Sequence, residues 1–208
     1  MSTQEMFHIF TSEAGDIIRL TNWIFDTIQP YTKGRTLEMG SGQGAIASIF
    51  IAHGLPIHLS DESQDNREKL RKKFHGIGAV RMIHDIDFLS EIFTRKYTGS
   101  IGAFSTVVAV NIAGHGYYDA KALNNAKHLL RIRGHLIIVA PVHTTLYPGL
   151  EQDLNEYKKH NAIVVKKMMG NNVEVLKVRY FNFQADSNIG FTSQTGLSTL
   201  AILRKTSD

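Results

Sequence analysis

The stretch Glu38-Met-Gly-Ser-Gly-Gln-Gly44 connects a predicted strand, residues 35–39, to a predicted helix over residues 45–53. Glycines in such a turn permit a tight bend and let a ligand approach the backbone closely. The helix beyond the turn offers free N–H groups and a partial positive charge at its N-terminus, which suit a carboxylate or a phosphate. The stretch therefore favours a nucleotide-type ligand, and a purely structural turn is the alternative.

The apolar pattern on either side of this stretch switches between short buried runs and helical spacing. Residues 12–29 have apolar side chains at helical spacing, and Pro30 ends this predicted helix. Predicted strands cover residues 35–39, 57–60, 79–83, 104–110, 135–140, 173–181 and 197–203. Strands that alternate with helices form a parallel sheet, whereas the last two strands have no full helix between them. We predict an α/β, Rossmann-like, doubly wound fold, with a mostly parallel seven-stranded sheet, an antiparallel last strand and helices on both faces.

The chain length of 208 residues fits one domain. We predict a single domain over residues 1–208, with residues 1–30 as a candidate helical lid and residues 143–195 as a substrate-side segment. The apolar runs are far shorter than the ~20 residues that span a bilayer, and the N-terminus lacks a signal-peptide pattern. The chain has no cysteine, which excludes disulfides, zinc ribbons and thiol nucleophiles. A cytoplasmic protein without membrane contact or a metal site is the expectation.

Two acidic residues follow predicted strands, at the edge where a doubly wound sheet binds its ligands. Asp61 ends the second strand, where a carboxylate can accept hydrogen bonds from both hydroxyl groups of a ribose. A helix cap or a surface acid is the alternative for this residue. Asp85 follows the third strand and is placed to accept a hydrogen bond from an adenine amino group. Together with Glu38, these acids occur in an order that suits an adenosine-containing ligand.

The string Arg35-Thr-Leu-Glu-Met-Gly-Ser-Gly-Gln-Gly44 resembles the first motif of class I S-adenosylmethionine (SAM) dependent methyltransferases, an acid followed by G-x-G-x-G. The resemblance continues through Asp61 and Asp85. It extends to Phe104-Ser-Thr-Val-Val-Ala-Val-Asn111 and to Leu129-Leu-Arg-Ile-Arg-Gly-His-Leu-Ile-Ile138. More narrowly, segments such as Ala140-Pro-Val-His143 and Leu146-Tyr-Pro-Gly149 are similar to those of bacterial small-molecule methyltransferases.

The resemblance implies SAM as the cofactor. The positions that match the family pattern at the cofactor are Glu38, Gly40, Ser41, Gly42, Asp61, Glu62, Asp85, Ile86 and Asn111. Glu38 would hold the methionine amino group, directly or through water, and Asn111 would lie near the sulfonium. This sequence departs from the narrower group at Ala113-Gly-His115 and in the short segment 182–196, and both departures concern the substrate more than the cofactor.

Methyl transfer from a sulfonium is an in-line displacement, in which the enzyme mainly positions the donor and the acceptor. An oxygen or nitrogen acceptor also loses a proton, so a general base accelerates the reaction. His115 and His143 both follow predicted strands at the cofactor edge, and an unperturbed histidine titrates near neutral pH. They are the candidate bases, and a mechanism without a protein base stays open. Trp23, Tyr117 and Tyr147 are candidates for the acceptor pocket, with core or loop packing as the alternative.

Three alternatives were weighed against a small-molecule methyltransferase. An NAD(P)-dependent oxidoreductase fits Gly40-x-Gly42-x-x-Ala45, but the pair Tyr117 and Lys121 follows Gly114 too closely for that family. A noncatalytic binding or scaffold protein has the same fold, yet would tolerate damaged cofactor positions. A nucleic acid substrate is disfavoured, because the net charge is only +4 and the basic block 67–73 has the pattern of a solvated helix face without stacking aromatics.

The acceptor is therefore predicted to be a small molecule, with oxygen preferred to nitrogen as the methylated atom. The residues that follow the fourth predicted strand are Asn111-Ile-Ala-Gly114. It lacks the prolines and the aromatic residue of the string shared by enzymes that methylate exocyclic amino groups of bases. A homodimer is compatible with the sequence.

Overall fold

The computed structural model describes residues 7–10, 14–110, 117–141, 170, 172–184 and 197–207 of the chain. These residues form one eight-stranded sheet with helices on both faces. The strands are β1 (Phe7–Phe10), β2 (Thr36–Met39), β3 (Ile57–Ser60), β4 (Val80–His84), β5 (Phe104–Val110), β6 (Leu130–Pro141), β7 (Val173–Gln184) and β8 (Leu197–Lys205). The helices are α1 (Ala14–Ile28), α2 (Ala45–Ala52), α3 (Gln64–Lys73), α4 (Phe93–Lys96) and α5 (Tyr117–Leu129).

The strand order is β1-β7-β8-β6-β5-β2-β3-β4. Strands β2 to β6 pair with one another in parallel, and β8 lies antiparallel between β6 and β7. The chain builds outward from β2 in both directions, because β2 pairs with β3 on one side and with β5 on the other. Such a reversal of strand order opens a crevice at the carboxyl ends of the two central strands. The loop that follows Met39 therefore lies where the fold places a ligand.

Both faces of the sheet are buried, which explains the unbroken apolar sequence of β5. Val107 and Ala109 pack on the face covered by α4 and α5. Val108 packs on the opposite face, together with apolar side chains of α1, α2 and α3. Burial of apolar surface on two faces is the main stabilising contribution of this architecture.

The predicted fold class is confirmed, including the antiparallel last strand and the helices on both faces. The helix predicted over residues 12–29 is α1. Within the candidate helical lid over residues 1–30, Phe7–Phe10 are not helical but form an eighth strand parallel to β7. That this segment acts as a lid stays a prediction. Aromatic and β-branched residues favour an extended backbone, and the free edge of β7 supplies its hydrogen-bond partners. Residues 143–169, 171 and 185–195 of the predicted substrate-side segment lie outside the described residues.

Within the ranges that the structure describes, the helices lack the length and hydropathy of a membrane span.

The first half of β6 makes a close backbone contact at Gly134. The pairing of β5 with β6 is irregular between Phe104 and Thr106, and Arg133 has a positive φ of 65°. A Cβ atom on Gly134 would lie 2.8 Å from the carbonyl oxygen of Arg131 and 3.1 Å from that of Ser105. Both neighbours are backbone atoms, so a side chain at this position requires the strands to shift.

We expect Gly134→Ala to lower the free energy of unfolding by about 2–3 kcal/mol, as overpacking against fixed atoms does. Urea unfolding followed by circular dichroism measures the change. Gly99→Ala is the matched control, because a Cβ atom at Gly99 would meet nothing within 4 Å. Equal stability of the two variants would show that the backbone contact at Gly134 is unimportant.

Candidate cofactor-binding site

The glycine turn, residues 40–44, follows the carboxyl end of β2. Gly40, Gly42 and Gly44 all have positive φ angles, of 66°, 50° and 73°, which only glycine adopts without strain. A Cβ atom on Gly42 would meet nothing within 4 Å, whereas one on Gly44 would lie 2.6 Å from the Phe74 ring. Gly42 therefore faces open space where a ligand can approach, and Gly44 lets α2 pack closely on α3.

Glu38 is a buried carboxylate directly before the glycine turn, with only 4% of its surface exposed. Among the described residues, no hydrogen-bond donor reaches its Oε2 atom. Burial raises the pKa of Glu38 to about 8 and outweighs the opposing effects of a Ser41 hydrogen bond and the Lys73 charge. A buried carboxylate oxygen without a hydrogen-bond donor is costly, so this position suits a ligand that brings an ammonium group.

Asp61 connects the glycine turn to the start of α3. Its Oδ2 atom accepts a hydrogen bond of 2.9 Å from the backbone N–H of Gly42. Its Oδ1 atom accepts from the backbone of Ser63 at 2.9 Å and from the Asn66 side chain at 3.2 Å. A carboxylate accepts roughly four hydrogen bonds, so Asp61 retains capacity for about one further donor. The prediction that it accepts from both ribose hydroxyls thus requires one existing bond to be shared or displaced.

Ser41 and Ser60 join the ends of β2 and β3. The backbone N–H of Ser41 donates to the Ser60 carbonyl at 2.8 Å, and the Ser60 hydroxyl donates to the Glu38 carbonyl at 2.8 Å. Ser41 was predicted at the cofactor, and its buried position beside Glu38 gives it a role in shaping the turn. These bonds hold the glycine turn in place before any ligand binds.

Arg67 is a site residue that the sequence interpretation missed. Its Nη1 atom donates to the carbonyl oxygens of Asp61 at 2.9 Å and Glu62 at 2.7 Å, and lies 3.1 Å from Oδ1 of Asp85. Placing Arg67 in a solvated helix face was therefore wrong, because only 8% of its surface is exposed. Arg67 lies three residues before the buried Leu70 on α3, and this spacing marks the core-facing side of the helix. The remaining residues of the block, apart from Leu70, are exposed as predicted.

The predicted adenine-side residues occupy the ends of β3 and β4. The Asp85 side chain is 69% exposed and pairs with Arg67 through one carboxylate oxygen. The Glu62 side chain is exposed. The Ile86 side chain is 2% exposed and packs in the core on the α5 side of the sheet. A ligand beside Ile86 would therefore contact mainly the backbone atoms of this residue.

Of the remaining predicted site residues, Asn111, His115, His143 and Tyr147 lie outside the described residues. Tyr117 is the first residue of α5. Trp23 lies in α1, partly buried against the core between α1, α2 and the sheet, as the core-packing alternative requires. Its contact with an acceptor stays a prediction.

Similarity to known proteins is found in the structure and not in the sequence. No protein-family model and no curated protein sequence matches the chain. The N-methyltransferase NodS from Bradyrhizobium japonicum WM9, in complex with S-adenosyl-L-homocysteine (SAH), has a TM-score of 0.64 at 13% identity. The similarity covers 94% of this chain and 90% of NodS.

Two further solved structures resemble the chain. A SAM-dependent methyltransferase from Methanosarcina mazei has a TM-score of 0.63 at 11% identity, with 88% of this chain and 98% of the other covered. The CurJ carbon methyltransferase has a TM-score of 0.58 at 15% identity, with 92% and 54% covered. The chain therefore has the fold of class I SAM-dependent methyltransferases.

Proposed function

We propose that this chain is an enzyme that binds SAM at the glycine turn and transfers its methyl group to a small molecule. The observation that carries the proposal is the buried Glu38 carboxylate, whose Oε2 atom has no partner among the described residues. A methionine ammonium group at this atom would supply the missing charge and the missing hydrogen bond. The SAM-like pattern of Glu38, Asp61 and Asp85 on this fold supports the same assignment.

When bound, SAM supplies an activated methyl group on a sulfonium. Glu38 binds the ammonium group, and the open space at Gly42 lets the ligand lie against the backbone. Asp61 would accept from the ribose, and Asp85, which pairs with Arg67, would accept from the adenine amino group. Holding the donor in one orientation is the main contribution that a protein makes to a displacement of this kind.

The oxidoreductase alternative fits the sheet less well. Dinucleotide-binding folds of the doubly wound type have the strand order 3-2-1-4-5-6, whereas here the antiparallel β8 lies between β6 and β7. Glu38 also has no function in that alternative. A scaffold protein would gain nothing from a buried carboxylate whose Oε2 atom has no partner among the described residues, because such a group weakens the fold.

The acceptor is proposed to be a small molecule, with an oxygen atom preferred. The compared structures include proteins named as an N-methyltransferase and a carbon methyltransferase, so nitrogen and carbon acceptors belong in the same screen. The experiment is an incubation with SAM labelled in the methyl group and a cell extract separated into small molecules, nucleic acids and proteins. Label in the small-molecule fraction alone supports the proposal, and label in nucleic acid or protein would overturn the acceptor class.

We propose His143 as the general base, with His115 as the second candidate. His143→Ala is expected to lower kcat by about 10²–10⁴-fold, the usual effect of removing a base. The affinity for SAM should change little, because the base acts on the acceptor. Single-turnover kinetics and calorimetry on the same preparation measure the two quantities, with His115→Ala in parallel. Full activity of His143→Ala would remove it from the mechanism.

A further inference from the structure

A cavity of about 460 Å³ lies at the amino ends of β2, β3 and β4. This edge of the sheet is opposite to the glycine turn, because Arg35 precedes β2 and the glycine turn follows it. The cavity is lined by apolar side chains of Phe50, Leu55 and Pro56, and by the polar side chains of Arg35, His58 and Arg81. Its volume is within the range of small-molecule sites.

The Arg35 guanidinium is held in a fixed orientation. Its Nε–H donates to Nε2 of His58 at 3.3 Å, and its Cζ atom lies 4.7 Å from the centroid of the Phe104 ring. Nδ1 of His58 lies 3.0 Å from Nε2 of His84. Because Nε2 of His58 accepts, its Nδ1 carries the proton and donates to His84. Among the described residues, no acceptor reaches the terminal N–H groups of Arg35, so they are available to a ligand.

The charge around the cavity is positive. Burial, followed by the charges of Arg35, His84 and Arg81, lowers the pKa of His58 to about 4, so this ring is neutral at physiological pH. Arg35 and Arg81 both line the cavity, and neither has an acidic partner among the described residues. Guanidinium groups bind carboxylates and phosphates through charge-assisted hydrogen bonds.

We propose that this cavity binds a small organic anion, with its carboxylate or phosphate head at Arg35 and Arg81 and its apolar body against Phe50, Leu55 and Pro56. The charged rim fixes the head group, and the apolar wall excludes a bare inorganic ion as the preferred ligand. The site is independent of the proposed methyl transfer, because none of these residues belongs to the glycine turn or its supports.

The test is a titration of the full chain with octanoate and with octyl phosphate, followed by NMR signals of the His58 ring and by calorimetry. Octanol and inorganic phosphate are the matched probes for the apolar body and the head group alone. We expect both organic anions to shift the His58 signals and octanol to bind at least about tenfold more weakly, since charged hydrogen bonds dominate. Whether octanoate or octyl phosphate binds better identifies the head group.

Arg81→Gln is expected to weaken octanoate binding about tenfold. The Arg81 side chain makes no hydrogen bond or ion pair to the described residues, so this variant should fold normally. Arg95→Gln, at an exposed position of α4, is the control and should bind like the unmodified protein. Equal binding of octanol and octanoate, unchanged affinity of Arg81→Gln, or no shift of the His58 signals at about 10 mM octanoate would each overturn the proposal.

Discussion

Glu38→Gln is expected to weaken SAH binding about a hundredfold, because it removes the charge that pairs with the ligand ammonium in a buried site. This corresponds to about 3 kcal/mol, within the usual cost of breaking a buried ion pair. Isothermal calorimetry at pH 8.5 measures the affinity, where the carboxylate of the unmodified protein is largely ionised. Glu68→Gln, an exposed carboxylate on α3, is the matched control and should bind SAH normally.

The same substitution is expected to change how stability depends on pH. The pKa of Glu38 is raised from 4.5 to about 8 in the folded chain, so between these values the folded state binds more protons than the unfolded state. The stabilisation from this group is fully present below about pH 4.5 and is lost as the pH rises to about 8. The free energy of unfolding should fall by up to about 1.4 kcal/mol per pH unit across this window.

Glu38→Gln removes this dependence, so the variant should become more stable than the unmodified protein at pH 9 in the absence of ligand. Urea unfolding at pH 5, 7 and 9 measures the difference between the two proteins. A variant that both binds SAH normally and shows an unchanged pH profile would exclude Glu38 from the site.

Asp61→Ala is expected to have the second large effect, on stability and binding together. The substitution leaves the N–H groups of Gly42 and Ser63 and the Asn66 amide without their acceptor. The expected loss is about 2–4 kcal/mol in the free energy of unfolding, since each buried donor left unpaired costs about 1–3 kcal/mol. SAH affinity should fall at least about tenfold.

Asp65→Ala is the control for Asp61→Ala, because Asp65 lies exposed in the first turn of α3 and contributes only about 0.5 kcal/mol through the helix dipole. The stability and SAH affinity of Asp61→Asn, which keeps one acceptor oxygen, should lie between those of Asp61→Ala and Asp65→Ala. Urea unfolding and calorimetry on the three variants separate the effects. Normal stability together with normal affinity of Asp61→Ala would contradict the connection between the glycine turn and α3.

The features that the sequence predicts correctly are local in the chain. The glycine turn can be recognised from residues 40–44 alone, because positive φ angles strongly favour glycine. The strands of the sheet appear as short apolar runs, and β8 is predicted to be antiparallel because the sequence between the last two strands lacks a full helical pattern. Asp61 is found because it directly follows a strand, although its bonds to Gly42 and Asn66 depend on the folded turn.

The features that the sequence does not reveal depend on contacts between distant elements. Arg67 pairs with Asp85 across α3 and β4, and within α3 it looks like any other cation of a basic run. The strand Phe7–Phe10 forms because it pairs with the free edge of β7. No local pattern in the sequence predicts this pairing. Gly44 has the appearance of a ligand-binding glycine, and only the packing of Phe74 shows that it serves the contact between helices.

The central claim, that the glycine turn binds SAM, is tested most directly by thermal unfolding with and without SAH, with NADH and NADPH in parallel. A ligand at about a hundred times its Kd stabilises the folded state by about 2.7 kcal/mol, which corresponds to a rise in Tm of roughly 5–10 °C for a chain of this size. We expect that rise with SAH alone, and a rise of only about 1–2 °C for Glu38→Gln at the same SAH concentration, because a hundredfold weaker ligand then stabilises the fold by about 0.4 kcal/mol. A rise with NADH or NADPH and none with SAH would contradict the claim and favour an oxidoreductase, and no rise with any of the three would favour a noncatalytic protein.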